Sequence, residues 1–122
     1  MNTLKLNLLL AFFIVLYSCG EDCKFNSITT GELPVGIVGQ TYNEQITYDI
    51  TCSYSMKKFE LISGSLPKGI DLSPSGVFSG IPSDTGTFSF RIKGRMCFSS
   101  NGFEYTDCHD LEKALSIMIV SQ

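Results

Sequence analysis

The chain of 122 residues lacks several patterns on which common functions depend. It has a single histidine, His109, and no G-x-S-x-G segment, so no acyl-transfer constellation is present. It has no Cys-x-x-Cys spacing, which argues against a cysteine-based zinc site. Its basic residues form no stripe, since Lys57-Lys58 is only a pair, and nucleic-acid binding is therefore not indicated. We expect no catalytic residues, no metal, no cofactor and no nucleic-acid partner.

The apolar run near the N-terminus, from Leu8 to Tyr17, is too short to remain as a membrane span. A transmembrane helix needs about twenty apolar residues, roughly twice the length of this run. The run follows Lys5 and precedes small residues, which is the order of an export signal. A hydrophobic core helix is the alternative, but no amphipathic pattern interrupts the run. We predict that residues 1–18 are a signal peptide.

The segment LYSC, which ends this run, resembles the bacterial lipobox. Leu16, Ser18 and Cys19 match its pattern, whereas Tyr17 is bulkier than the residue usually found there. The resemblance implies that the chain is cut before Cys19 and that Cys19 carries a diacylglyceryl thioether. Each buried methylene of such chains contributes about 0.8 kcal/mol, so several chains anchor firmly. Residues 19–26 would then form a lipidated tether.

The residues after Cys19 indicate the compartment. Gly20 stands where enterobacterial lipoproteins retained at the inner membrane carry aspartate, which favours an outer-membrane lipoprotein of the bacterial cell envelope. Glu21-Asp22 resembles the short acidic tract of surface-exported Bacteroidota lipoproteins, although two acids in a solvated tether are the alternative. Without Lys5, the chain keeps 12 acidic and 8 basic residues, for a net charge of −4.

The rest of the chain, residues 27–122, repeats the period of two that is typical of strands. Three apolar rows alternate with polar residues and predict one buried face each: Ile46, Tyr48, Ile50 and Cys52; Phe88, Phe90 and Ile92; Leu115, Ile117 and Ile119. Shorter strands are predicted at 59–61, 70–72 and 77–78, and an early strand between Ser27 and Val38 with a kink at Pro34. About seven strands in all predict an all-β sandwich.

The segment SGSLPKGIDLSPSGVFSGIPSDTGTFSF, residues 63–90, raises the choice between a disordered linker and specified corners. Its prolines cannot donate to a central strand ladder, so they are expected at turns or edges. Apolar residues between them, such as Ile70, Val77 and Phe78, are not typical of a disordered linker. The glycines and prolines therefore predict tight turns, and Gly80 predicts a close backbone crossing.

This segment, together with LPVGIVGQTYNEQITYDI before it, resembles the He_PIG family of bacterial cadherin-like, dystroglycan-type immunoglobulin domains. The family pattern is GSLPxGLxLxxxGxISGxPxxxGxxxFxV. Ile70 and Phe78 replace its leucine and isoleucine and keep their apolar role. The resemblance implies an Ig-like β-sandwich, which does not by itself fix a function. The matching residues are Leu66, Pro67, Gly69, Leu72, Gly76, Gly80, Pro82, Gly86 and Phe90.

The chain departs from that pattern between Arg95 and Lys113, where we expect an added loop between the last two strands. Added material on a rigid scaffold is a candidate for individual function, and a disulfide-braced decorative loop is the alternative. Its acidic residues are candidate calcium ligands, and solvated loop charges are the alternative: Glu104, Asp107, Asp110 and Glu112. Its aromatic residues suit either a glycan or protein partner, or packing on the sandwich: Phe98, Phe103 and Tyr105.

Four cysteines remain once Cys19 is assigned to lipid, an even number in an oxidising compartment. In an Ig-like sandwich, Cys23, Cys52, Cys97 and Cys108 would all lie at one end. We favour Cys23–Cys52 with Cys97–Cys108, and the second choice is Cys52–Cys97 with Cys23–Cys108.

Taken together, these patterns predict a non-enzymatic, lipid-anchored binding or adhesion module. Its partner contacts would use the loop between Cys97 and Cys108. The alternative is a structural accessory subunit that docks on an outer-membrane protein complex through a sheet edge or the Met118/Val120 face.

Overall fold

The computed structural model describes residues 24–51, 56–99, 104 and 107–122, with the backbone alone at Met56. These residues form strands and no helix. The strands are β1 (Phe25–Ile28), β2 (Gly36–Ile37), β3 (Tyr42–Gln45), β4 (Tyr48–Ile50), β5 (Met56–Gly64), β6 (Ile70–Leu72), β7 (Val77–Gly80), β8 (Gly86–Phe98) and β9 (Asp107–Val120).

The strands form a four-stranded sheet and two smaller sheets. The large sheet has the order β2-β9-β8-β5, and the smaller sheets are β3-β7-β6 and β1-β4. Every pairing is antiparallel except that of β2 with β9. The predicted all-β, Ig-like sandwich is therefore confirmed.

The core follows the predicted alternation on β8 and β9. Phe90 and Ile92 of β8 are buried, as are Ile117 and Ile119 of β9, while Met118 points outward. The ring of Phe78 from β7 packs against Phe90 at a centroid distance of 5.5 Å and so joins the small sheet to the large one. Burial of such rings is the main stabilising contribution to a sandwich of this size.

Two predicted strands are each divided in the structure. The early strand separates into β1 and β2, which lie in different sheets on either side of Pro34. The strand predicted around Ile46–Cys52 separates into β3 and β4, because the chain changes partners between them. Ile46 N donates to Gly76 O at 2.7 Å, whereas Thr47 N donates to Thr30 Oγ1 at 2.7 Å. These divisions turn about seven predicted strands into the strands observed.

The segment of residues 63–90 forms the turns that its glycines and prolines predict. At one end of the sandwich, Ile81 N donates to Gly69 O at 3.1 Å, and Gly39 N donates to Pro82 O at 3.0 Å. Gly69 and Gly80 both have positive φ, at 96° and 139°. A Cβ on Gly80 would collide with the carbonyl oxygen of Gly69, so this crossing requires glycine.

The region predicted as a loop between Arg95 and Lys113 is largely strand. β8 and β9 stay in unbroken antiparallel register from Gly86↔Ile119 to Phe98↔Asp107. The strands thus continue well beyond the predicted ends near Lys93 and Leu115. We call the outer part of this hairpin, 95–98 of β8 with 107–110 of β9, the ribbon. It occupies one pole of the sandwich, which we call the ribbon pole.

The opposite pole carries the turns at residues 66–69 and 81–85. Ser83 N donates to Lys68 O at 3.0 Å, which ties these two turns together. The part of the chain that the structure describes contains no helix long and apolar enough to cross a membrane.

Candidate functional site

A disulfide joins the two strands of the ribbon. Cys97 and Cys108 are direct cross-strand partners, with a Cα–Cα distance of 4.1 Å, and their sulfurs are bonded. This confirms the favoured partner of Cys97 and excludes its bond to Cys52. Because Cys108 is oxidised, it has no free thiol with which to act as a nucleophile beside His109.

The second predicted disulfide, Cys23–Cys52, involves residues outside the described part of the chain. Their described neighbours are paired: Thr51 N donates to Lys24 O at 3.0 Å, and Lys24 N donates to Thr51 Oγ1 at 2.8 Å. We therefore expect non-reducing peptide mapping to recover a Cys23–Cys52 peptide as well as Cys97–Cys108. Free thiols at both Cys23 and Cys52 in protein taken from the envelope would contradict this pairing.

Phe98 does not lie on the surface. It is 5% exposed and belongs to the hydrophobic core, and its ring lies 5.9 Å from that of His109. Met96 and Cys97 are buried as well, so side chains on both faces of the ribbon are covered. For Phe98, packing on the sandwich is therefore observed in place of the exposed contact suggested for it. Phe103 and Tyr105 lie outside the described residues.

The acidic residues of the ribbon and its neighbourhood pair with cations on the outer face of the large sheet. Asp110 accepts two hydrogen bonds from the Arg95 guanidinium, at 2.8 and 3.1 Å. This hydrogen bonding lowers the pKa of the Asp110 carboxyl, although burial partly opposes it. Glu112 lies 3.6 Å from Arg91 across the same strand pair. Such exposed pairs contribute little to stability.

The contacts of these carboxylates favour charge pairing over calcium binding. Asp107 Oδ1 lies 2.9 Å from Nε2 of His109, without the alignment of a hydrogen bond. Among the described residues, no three His, Cys, Asp or Glu side chains are grouped closely enough to hold a metal ion. The cross-strand register places Arg95 directly opposite Asp110, which explains their pair. Glu112 contacts Arg91 diagonally, while Lys93, its direct partner, lies 3.0 Å from Glu60 on β5.

A shallow groove lies on the outer face of β8 and β9, beside the crossing between β1 and β2. It has a volume of about 230 Å³ and is lined by Glu32, Leu33, Val35, Thr87, Ser116 and Met118. Val35 and Met118 are 56% and 49% exposed, and Val120 beside them is 39% exposed. The Met118/Val120 face was named from the sequence. The contribution of Val35 was missed, because the chain brings it to β9 only through the crossing between β1 and β2.

The tyrosine near this crossing has a structural role. Tyr42 is buried, and its hydroxyl donates to Pro34 O at 2.9 Å. Burial, reinforced by the nearby charge of Glu44, raises its pKa to about 12. The hydroxyl therefore stays protonated at physiological pH and holds the chain at Pro34, the kink between β1 and β2.

The residues of the family motif build the turns and the core. Pro67 and Pro82 are fully buried, and Phe90 is 3% exposed. Leu66 and Leu72 are partly buried against the core. Positive φ angles occur at the remaining motif positions, Gly69, Gly76, Gly80 and Gly86. The motif residues therefore have structural roles in the turns and the core.

The comparison with family models agrees with this geometry. Residues 26–107, from β1 to the first residue of β9, match the model described as "Putative Ig domain", He_PIG. The chain belongs to this family. Immunoglobulin-like domains of this kind are typically non-catalytic, and He_PIG membership favours a binding or adhesion module.

A solved structure of a larger protein contains a similar fold. A putative alpha-galactosidase from Bacteroides fragilis NCTC 9343 aligns with 80% of this chain at a TM-score of 0.54 and 16% identity. The alignment covers 17% of that protein, so this chain corresponds to a small part of it. At this identity the likeness shows the fold alone. No curated protein matches the chain significantly.

Proposed function

We propose that this He_PIG domain is a lipid-anchored, non-enzymatic binding module of the bacterial outer membrane. The observation that carries the proposal is the combination of an immunoglobulin-like sandwich with the lipobox residues Leu16, Ser18 and Cys19 directly before it. A lipid chain on Cys19 would hold the module at the membrane surface. The sandwich then supplies a rigid support on which surface positions contact a partner.

We expect Cys19→Ala to abolish membrane association. The apolar run before Cys19 is about half as long as a membrane span, so it would hold the chain poorly without lipid. Detergent-phase partitioning and sedimentation with membranes measure the effect. Ser18→Ala is the matched control, because it keeps a small residue before the cysteine and should partition like the native protein. A Cys19→Ala variant that still partitions with detergent would show that the apolar run itself is the anchor.

The second candidate is a structural accessory subunit of an outer-membrane protein complex. The exposure of Met118 and Val120 beside Val35 favours it, because three exposed apolar side chains grouped at a groove are typical of a contact surface. Two results separate the candidates. Binding of a glycan or an extracellular protein by the native lipoprotein supports the first, whereas co-purification with one defined envelope assembly supports the second.

The prediction that the ribbon's end contacts a glycan or protein rests on Phe103 and Tyr105. Phe98, the third aromatic residue suggested for this contact, is buried and so is not available for it. The contact through Phe103 and Tyr105 stays a prediction, as does the surface exposure of the lipoprotein.

A further inference from the structure

The start of β1 lies at the ribbon pole. A Cβ on Gly94 would lie 3.2 Å from the Phe25 ring, so Phe25 is at the level where the ribbon begins. Three residues further along β1, the carbonyl oxygen of Ile28 accepts a hydrogen bond from Lys113 Nζ at 3.1 Å. Because Lys113 pairs with Ile92, β1 runs away from the ribbon. Lys24, the first residue that the structure describes, therefore lies on the ribbon side of the sandwich.

The distance from the lipid site to this point is short. Cys19 is five residues before Lys24, and a fully extended chain of that length spans at most roughly 18 Å. The ribbon extends four residues beyond Gly94, which corresponds to about 13 Å at roughly 3.3 Å per residue. Even a fully extended tether would thus reach only a few ångströms beyond the last described pair of the ribbon, about the depth of the headgroup layer, and eight further residues connect Phe98 to Asp107.

The distribution of charge also favours an orientation in which the ribbon pole, and not the opposite pole, faces the membrane. At and just beyond the level of Gly94, Lys24, Lys57 and Lys58 accompany the neutral Arg95–Asp110 pair. With Asp107 at the ribbon's end and Glu104 between the two ribbon strands in sequence, this part of the domain has no excess of acidic residues. The opposite pole is acidic, with Lys68 as the basic residue near its exposed carboxylates: Glu32, Asp71 and Asp84. Anionic headgroups repel an acidic surface more strongly than a neutral one.

We infer that the ribbon pole rests on the lipid surface, so that the paired strands of the ribbon act as the foot of the domain. This inference rests on the lipidation of Cys19 proposed above. The opposite pole, with the exposed Ile81, then points away from the membrane. It follows that the outward-facing part of the domain is the end built by the turns at residues 66–69 and 81–85, and the inserted ribbon faces the bilayer. This orientation is an alternative to the glycan or protein contact predicted through Phe103 and Tyr105, which follow the ribbon strand β8.

Lysine acylation of the full lipoprotein in vesicles of phosphatidylethanolamine and phosphatidylglycerol tests this orientation. Asp107→Lys places a reporter lysine at the last residue pair of the ribbon, and native Lys58 reports without any substitution. Native Lys68, at the opposite pole, is the internal reference. A water-soluble acylating reagent that does not cross bilayers is applied, and mass spectrometry gives the rate at each lysine relative to Lys68.

We expect the reporter to react several-fold more slowly, relative to Lys68, with the native tether than with a lengthened one. The matched control carries a Gly/Ser insert of about twenty residues after Asp22, with a root-mean-square length of roughly 25 Å. Lys58 should change in the same direction by a smaller factor, because it lies opposite Arg95, further from the ribbon's end.

Three outcomes overturn the orientation. Equal relative rates with both tethers would mean that the ribbon does not meet the lipid surface. Slower reaction of Lys68 would place the opposite pole on the membrane, and slower reaction of Lys24 and Lys113 alone would mean that the domain lies on its β1 side. Failure of the proposed function is recognised separately, since protein without lipid on Cys19 would remain in the supernatant when the vesicles are sedimented.

Discussion

Gly80→Val is expected to lower the free energy of unfolding by about 4 kcal/mol or more, which is exceptional for a single substitution. A φ of 139° is strained for a β-branched residue, at a cost of about 1–3 kcal/mol. The added Cβ would also collide with the Gly69 carbonyl oxygen, and the neighbouring backbone leaves it no room to move. Because small domains are stable by only about 5–15 kcal/mol, much of the variant should unfold at mild denaturant concentrations.

Three control variants separate backbone strain from steric collision. Gly86→Val has nearly the same φ, 140°, but its nearest neighbours are Phe88 ring atoms at 3.6 Å, so strain alone should cost about 1–3 kcal/mol. Gly39 also has a positive φ, and an added Cβ there would have no atom within 4 Å, so Gly39→Ala likewise reports backbone strain without collision. Ser75→Ala, at an exposed turn, should stay within about 0.5 kcal/mol. Urea midpoints measure all four, and equal midpoints for Gly80→Val and Gly86→Val would contradict the crossing.

The turns between residues 66 and 85 were predictable because their determinants are local. A proline cannot donate a hydrogen bond and a glycine tolerates positive φ, so their spacing alone predicted corners at Pro67, Gly76 and Pro82. The alternation along Phe90 and Ile92 is equally local, and the buried rows of β8 and β9 followed from it. The division of the predicted strand at Ile46 could not be predicted, because the same period of two continues on both sides of that change of partner.

The ribbon shows what depends on distant parts of the chain. Asp110 faces a cation only because the register of β8 with β9 makes Arg95 its direct partner. A shift of that register by one residue would turn every side chain of the strand to the other face of the sheet. Burial of Phe98 likewise depends on what covers the hairpin. The groove beside Met118 forms only because the crossing after β1 brings Val35 to β9. No local pattern carries this information.

The last expected result concerns Phe59, a second ring that connects the large sheet with the rest of the sandwich. It is 2% exposed, its backbone N donates to Pro74 O at 2.8 Å, and its ring lies 5.8 Å from that of Tyr48. Two glycines lie against opposite edges of the ring: a Cβ on Gly94 would lie 2.6 Å from it, and one on Gly76 would lie 2.8 Å from it. The ring therefore fills a space that these two glycines leave open.

We expect Phe59→Ala to cost about 3–5 kcal/mol, the range for truncating a buried phenylalanine. The cost should lie toward the upper end, because glycines have no side chains with which to fill the cavity. The same geometry predicts that the cost of Gly94→Ala depends on Phe59, since Gly94 has no positive φ that would add backbone strain. Gly94→Ala should destabilise the native protein by pressing on the Phe59 ring. In Phe59→Ala most of that cost should disappear, because only the Phe25 ring, 3.2 Å from the added Cβ, still has to give way. Denaturant midpoints of the two single variants and the double variant measure this coupling. Simple additivity of the two costs would mean that the ring does not occupy the space between the glycines.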